Sequence, residues 1–201
     1  MASWLFAQVY AKIAHREAAP IRGARKRLFA GLHGEVLEIG AGTGINFQFY
    51  PEGVKLTATD YSEHMLKKLT KPARDAEIDV TVQQADVQDL PFDDESFDHT
   101  VATLVFCSVP EPQLGYAEIL RITKPGGSVR FLEHVAAEGG RRRRLQNWIT
   151  PAWKRIGDGC HLNRDTVAAV RDSGLAIDSV EEVEGAPALF PMRVIHTHKP
   201  V

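Results

Sequence analysis

Apolar residues recur along this chain with two different periods, and the change of period divides it. Near the start, Leu5, Val9 and Ile13 fall on one helical face, flanked by Phe6 and Tyr10, while Gln8, Lys12 and Arg16 lie elsewhere. That spacing predicts a helix over 3–19. Pro20 and Gly23 end or bend it, and a second short helix is predicted over 22–31, closed by Gly31 and Gly34. From Glu35 onward the pattern becomes strand, turn, helix, repeated. Val36–Ile39 is a short apolar run before glycines. Val54–Asp60 alternates and ends in a carboxylate. Ser62 can cap a helix to about Leu69, with Met65, Leu66 and Leu69 inward. Strands three and four are predicted at Val80–Asp86 and Phe97–Val105. An amphipathic helix over 111–123 stops at Lys124-Pro125-Gly126-Gly127, and Ser128–His134 forms strand five. Asn163 caps a helix ending at Gly174. Two last strands are predicted at Ile177–Val183 and Met192–His198.

Strands alternating with helices predict an α/β fold, a mainly parallel sheet covered on both faces. Ligands of such sheets bind outside the carboxyl ends of the strands. Asp60, Asp86, Thr103–Cys107 and Glu133-His134 all stand at such ends.

Composition narrows the partners. The chain has 201 residues, 44% hydrophobic and 25% charged, with a net charge of -2. This is an ordinary globular composition with no total charge that calls for a polyanion. The distribution is uneven: Lys12, Arg16, Arg22, Arg25, Lys26 and Arg27 crowd the start, and Asp86, Asp89, Asp93, Asp94, Glu95 and Asp98 the middle. No basic groove interleaved with aromatics points to nucleic acid. Two cysteines, Cys107 and Cys160, make no disulfide framework and no C-x-x-C, so a reducing, cytosolic compartment is expected. They also lack the ligand spacing of a zinc site, and no metal is expected. No apolar run is long enough to span a bilayer, and the N-terminus has no secretory pattern.

The stretch from Val36 to Phe47, VLEIGAGTGINF, carries the first chemistry. A dinucleotide turn wants G-x-G-x-x-G, yet position 45 is Ile45; a P-loop wants a lysine after the glycines, and none follows. The glycines Gly40, Gly42 and Gly44 instead make G-x-G-x-G. Glu38, just before the turn, would repel a pyrophosphate and could accept from a ligand ammonium. Asp60 ends the next strand, where a carboxylate takes a ribose diol. Together they favour a nucleoside bearing an amino acid with a positive centre, which disfavours a nicotinamide dehydrogenase.

The E-x-G-x-G-x-G run, Asp60-Tyr61-Ser62, Gln84-Ala85-Asp86 and Lys124-Pro125-Gly126-Gly127 resemble, in this order, a class I S-adenosylmethionine-dependent methyltransferase. The resemblance implies a Rossmann-like, seven-stranded, mostly parallel sheet with helices on both faces and the last strand antiparallel. It implies a methyltransferase domain over 35–201, preceded over 1–34 by a helical lid or membrane-surface segment. S-adenosyl-L-methionine would then lie against Glu38, Gly40, Ala41, Gly42, Thr43, Gly44 and Asn46 at the turn. Asp60 would hold the ribose and Tyr61 would pack on the adenine face. Asp86 would take the adenine amino group, with Ala85 and Val87 as neighbours and Val87 as an apolar wall. Ser62, Met65, Thr103 and Leu104 complete the implied cofactor set. Asp86 also suits a turn or helix cap, and Tyr61 ordinary packing.

Thr103–Val109, Phe131–Glu138 and the stretch from Pro151-Ala152-Trp153 to Asp158–Arg164 are similar to the methyltransferase-like alkyl-thiol S-methyltransferases, which are membrane-associated enzymes acting on small thiols. The implied function is methyl transfer to a small, apolar acceptor, a thiol sulfur. A free thiol is mostly protonated at neutral pH, so a base is useful. His134 is the candidate base or orienting group, with Glu133 or Asp158 as orienters; the alternative makes Glu133-His134 a structural pair. Tyr10, Cys107, Ser108, Trp148, Trp153 and His161 are the acceptor-side candidates. The N-terminal helix could be a lid, a peripheral membrane contact or a packed first helix. Arg141–Arg144 beside Leu145, Trp148, Ile149 and Trp153 could meet anionic lipid, with a solvated helix face as the default. Phospholipid N-methyltransferases and quinone-type methyltransferases share the cofactor motifs. A non-catalytic cofactor-binding protein is the reading from another class.

Overall fold

The computed structural model describes residues 7–8 and 17–201. Most of the predicted first helix, with Trp4, Phe6 and Tyr10, lies outside the described residues. Of it, Ala7 is buried and Gln8 accepts a hydrogen bond from Lys68 Nζ at 3.0 Å.

Seven strands form one sheet in the order β3-β2-β1-β4-β5-β7-β6. Helix α1 (Ala19–Phe29) precedes β1 (Glu35–Ile39); β2 (Lys55–Asp60), α2 (Glu63–Asp75) and β3 (Asp79–Gln84) follow. Then come β4 (Phe97–Thr103), α3 (Pro112–Ile122), β5 (Thr123–His134), α4 (Gly140–Ile156), α5 (Thr166–Asp172), β6 (Ala176–Glu182) and β7 (Met192–His198). All neighbours pair in parallel except β7, which runs antiparallel to β5 and β6. The predicted architecture, with its antiparallel last strand, is the one found.

The central strands are buried on both faces, as a parallel sheet requires. One core gathers Leu28, Phe29, Val36, Leu56, Leu69, Val101 and Leu132 against α1 and α2. The other gathers Leu37, Ile39, Phe106, Tyr116, Ile119, Phe131 and Ile195 against α3 and α5. Val36 and Leu37 point to opposite cores because successive strand residues alternate. No helix among the described residues is long and apolar enough to cross a membrane.

Four local expectations are corrected. Gly23 lies inside α1, and Pro20 sits in its first turn, where a missing N–H costs nothing. Helix α2 runs on past Leu69 to Asp75, with Pro72 inside it. The helix expected over 111–123 does end just before Lys124-Pro125-Gly126-Gly127, at Ile122, but these four residues are already part of β5 rather than a break before a later strand. Between Phe97↔Thr123 and His99↔Ser128 the β4–β5 register shifts, and this stretch bulges out. A Cβ on Gly127 would lie 2.7 Å from the Asp98 carbonyl oxygen, so only glycine lets the two backbones pass. Gly126 and Gly127 then exchange backbone hydrogen bonds with Lys199. Finally, Asp165 rather than Asn163 caps α5, its carboxylate accepting from Ala168 N at 3.1 Å. Asn163 instead donates to Asn147 Oδ1.

Candidate functional site

A cavity of about 420 Å³ opens at the carboxyl ends of β1, β2 and β4. This is where the strand order turns outward on either side of β1 and β4, the usual ligand crevice of such sheets.

Its floor is the turn after β1. Gly40, Gly42 and Gly44 have φ of 66°, 59° and 72°, the left-handed region open to glycine. At Gly40 a Cβ would also strike the Val105 side chain. Gly40 and Gly42 line the cavity; Ala41, Thr43, Gly44 and Asn46 support the turn without lining it.

Glu38 departs from the expected ligand contact. Its carboxylate is fully buried behind the turn, accepting from Asn46 Nδ2 at 2.6 Å and Tyr50 OH at 3.0 Å. Burial pushes it up to about 7 against the opposing pull of those two hydrogen bonds. Asn46 and Thr103 in turn accept from Arg25 Nη1 at 2.7 and 3.0 Å, while Arg25 Nε reaches Glu17. Arg25 is 2% exposed, and nothing in a basic N-terminal run singled it out.

Asp60 ends β2 with one oxygen on Gly42 N at 3.0 Å and the other on Ser62 N at 2.8 Å. These two amides fix the carboxylate at the cavity wall, while burial pushes its pKa up. Ser62 Oγ is buried at the same wall with no hydrogen-bond partner among the described residues, as is Thr43 Oγ1 behind the turn. Tyr61, half-exposed, and Met65 continue this wall. Ala85, Asp86 and Val87 line the next side. Asp86 also shapes its own turn by accepting from Gln88 N and Nε2.

Thr103 and Leu104 close the far side. Leu104 has φ of 60°, which turns the chain after β4 as it crosses past the cavity. Glu133, buried and penultimate in β5, catches that crossing: Val105 N and Phe106 N donate to Oε1 at 2.8 and 2.9 Å, and Cys107 N to Oε2 at 3.3 Å. Glu133 therefore does not face the cavity or orient His134; backbone amides occupy its carboxylate. Burial pushes it to about 7 despite these bonds.

Of the other candidates, Asp158 and Ser108 line the cavity. Burial raises the Asp158 pKa. His134, Cys107 and Cys160 converge beside the cavity rather than on it, with Cys160 Sγ 3.9 Å from His134 Nδ1. Trp153 packs there against Phe190, at 4.9 Å between ring centres. Trp148 is 78% exposed on the outer face of α4, which removes it from the acceptor side. His161 bonds to the Cys107 carbonyl and joins a shallow depression with Asn147 and Lys154. Tyr10 lies outside the described residues. Sequence reasoning missed Ile39, Gln88, Val105, Val109, Pro110 and Gly159, the apolar and turn residues that complete the lining. No local spacing marks them.

Among the described lining residues there are three carboxylates, Asp60, Asp86 and Asp158, and no lysine, arginine or histidine. Such a cavity suits a ligand carrying positive charge and disfavours a pyrophosphate.

Comparison with known proteins agrees. The methyltransferase domain model matches residues 37–131. The thiol S-methyltransferase TMT1B of Rattus norvegicus is 38% identical over 175 residues, which span 80% of this chain and 71% of that protein. The solved structure of a putative methyltransferase, in complex with the Haloferax volcanii Trm112 methyltransferase activator, has a TM-score of 0.75 at 19% identity, covering 98% of this chain and 95% of that one. Geranyl diphosphate methyltransferase in complex with SAM has a TM-score of 0.70 at 13% identity, covering 92% and 86%. At these identities the two structures share the fold.

Proposed function

This chain belongs to the thiol S-methyltransferase family of S-adenosylmethionine-dependent methyltransferases, and from that premise we propose that it methylates the sulfur of a small apolar thiol. The observation that carries the reading is the cavity with three carboxylates and, among the described lining residues, no basic side chain. S-adenosylmethionine brings a sulfonium and an ammonium to it, and the sulfonium makes the methyl group electrophilic.

The residues fit that ligand. Asp60, pinned by two amides, has acceptor capacity left for ribose hydroxyls, and Ser62 Oγ supplies a hydroxyl that lacks a partner among the described residues. The Gly40–Gly42 turn lets a methionine moiety approach the backbone closely. Tyr61, Met65 and Val87 offer apolar faces to a purine, with Asp86 at its amino group. Thr103 and Leu104 close the pocket at the reacting end. Glu38 acts from behind, holding Asn46 and so the turn. Asp158 lines the same cavity, near enough for its charge to act on Asp60, and adds negative charge toward the cationic centre. Val105, Val109 and Pro110 make an apolar wall for the acceptor chain. Catalysis then consists of taking the acceptor as its thiolate, with the proton released to solvent, aligning it with the methyl group and excluding water; the new sulfur–methyl bond replaces the sulfonium–methyl bond and leaves S-adenosylhomocysteine.

The acceptor is tested directly. Incubation with S-adenosylmethionine and a series of alkyl thiols, or with phosphatidylethanolamine vesicles, is followed by mass spectrometry. Thioether products are expected. Methylated lipid headgroups with no thioether from any thiol would overturn the proposal.

A further inference from the structure

Cys107, His134 and Cys160 are far apart in sequence and come from three different elements. Cys107 follows β4, His134 ends β5, and Cys160 lies in the turn after α4. Their Sγ, Nδ1 or Nε2 and Sγ atoms lie within 4.8 Å of one another. Both cysteines are buried, at 2% and 6% exposure, inside an apolar shell of Leu162, Ile149, Trp153 and Phe190. We propose that this cluster is a binding site for Zn²⁺, with the two thiolates and the His134 imidazole as its protein ligands.

Three observations carry it. The first is distance. A tetrahedral zinc with bonds of about 2.3 Å to sulfur and 2.0–2.1 Å to nitrogen holds its ligands about 3.5–4 Å apart. The observed Sγ···Nδ1 separation is 3.9 Å, and no pair must close by more than about 1 Å. The second is chemistry. Two thiolates and an imidazole are a donor set that selects zinc over the hard cations. Two thiolates also cancel the ion's charge, as an apolar shell requires. The third is an orphaned donor. The Trp153 indole N–H is buried, makes no well-formed hydrogen bond among the described residues, and stands close enough to the Cys160 sulfur to favour its thiolate. An N–H beside a metal-bound thiolate is the kind of outer contact that tunes such sites.

The backbone braces the same point. His161 N donates to the Cys107 carbonyl at 2.7 Å, and Cys107 N to Glu133 at 3.3 Å. The ion would tie together the ends of β4 and β5 and the turn carrying Asp158. Among the described residues three ligands leave one tetrahedral position for water or an acceptor sulfur.

The test needs no enzymatic activity, so it stands apart from the acceptor assignment. The chain is produced and purified in reducing, chelator-free buffer and its metal measured by plasma mass spectrometry. One zinc per chain is expected. The metal-free chain should take Co²⁺ with the visible bands of a tetrahedral site and thiolate-to-metal charge transfer. The double variant Cys107→Ser, Cys160→Ser should lose the ion, and Trp153→Phe should weaken it by roughly 10–100-fold. Failure of the unaltered chain to bind Zn²⁺ or Co²⁺ would overturn the site. So would unchanged binding in the folded double variant, or isolation of the chain with a Cys107–Cys160 disulfide.

Discussion

At the scale of single residues, side chains of the same chemical type have been put to opposite uses. Asp60 and Glu38 are both acidic and both close to the glycine turn. Asp60 is anchored by two amides and faces the cavity, so its charge is offered to a ligand. Asp60→Ala removes a charge-assisted acceptor worth about 1.5–3 kcal/mol. Cofactor affinity, measured by calorimetry with S-adenosylhomocysteine, is expected to fall roughly 10–100-fold with the fold intact. Glu38 faces inward, and burial lifts its pKa from the ordinary 4.5 to about 7. A raised carboxyl favours the protonated folded state. Its contribution is full below about 4.5 and is lost as pH climbs to about 7. Relative to Glu38→Gln, the unaltered chain should therefore lose melting temperature between pH 5 and 7.5, so the difference between the two, followed across that range, reads the Glu38 contribution alone. Asp60's position was legible because a short local pattern, strand then carboxylate, encodes it. The inward aim of Glu38 was not, since it depends on Tyr50 and Asn46, twelve and eight residues on.

At the scale of elements, alternation and glycine punctuation fix the strands, and the misread element is the one where punctuation serves a different end. Proline and paired glycines normally break structure. At Lys124–Gly127 they let β5 bulge past β4 while staying in the sheet. Gly127→Ala would press a methyl group into the Asp98 and Lys124 carbonyl oxygens. A loss of about 1–3 kcal/mol is expected from such overpacking, read as a shifted urea midpoint. A β5 that merely began at Ser128 would tolerate the change. The cysteine–histidine cluster was equally hidden. Its members sit at the ends of three elements, with no spacing between them, and only the strand order brings those ends together.

At the scale of the whole molecule, the described segment before the sheet belongs to the same body as the site. Helix α1 shares a core with β1, β2 and β5 through Leu28 and Phe29. Its Arg25 reaches across to the glycine turn and to the end of β4 at once. Arg25 could not be picked out of a run of basic residues, because what distinguishes it is burial. Arg25→Leu leaves Glu17 and Asn46 without their cation and is expected to cost about 3–5 kcal/mol. The same variant should bind cofactor more weakly in proportion to its loosened turn. A full loss of stability with unaltered cofactor affinity would separate helix from site.

Glu133 gives the cavity an adjustment that no lining residue controls. One carboxylate sets where three successive amides stand behind the cavity wall that Val105 joins, so the side chain works as a shim behind that wall. Glu133→Asp thins that shim by one methylene. The wall should shift, and among methylated thiols the longer alkyl chains should lose rate before the shorter ones. The breadth of acceptors is thus set from behind, by the length of a residue that never meets them.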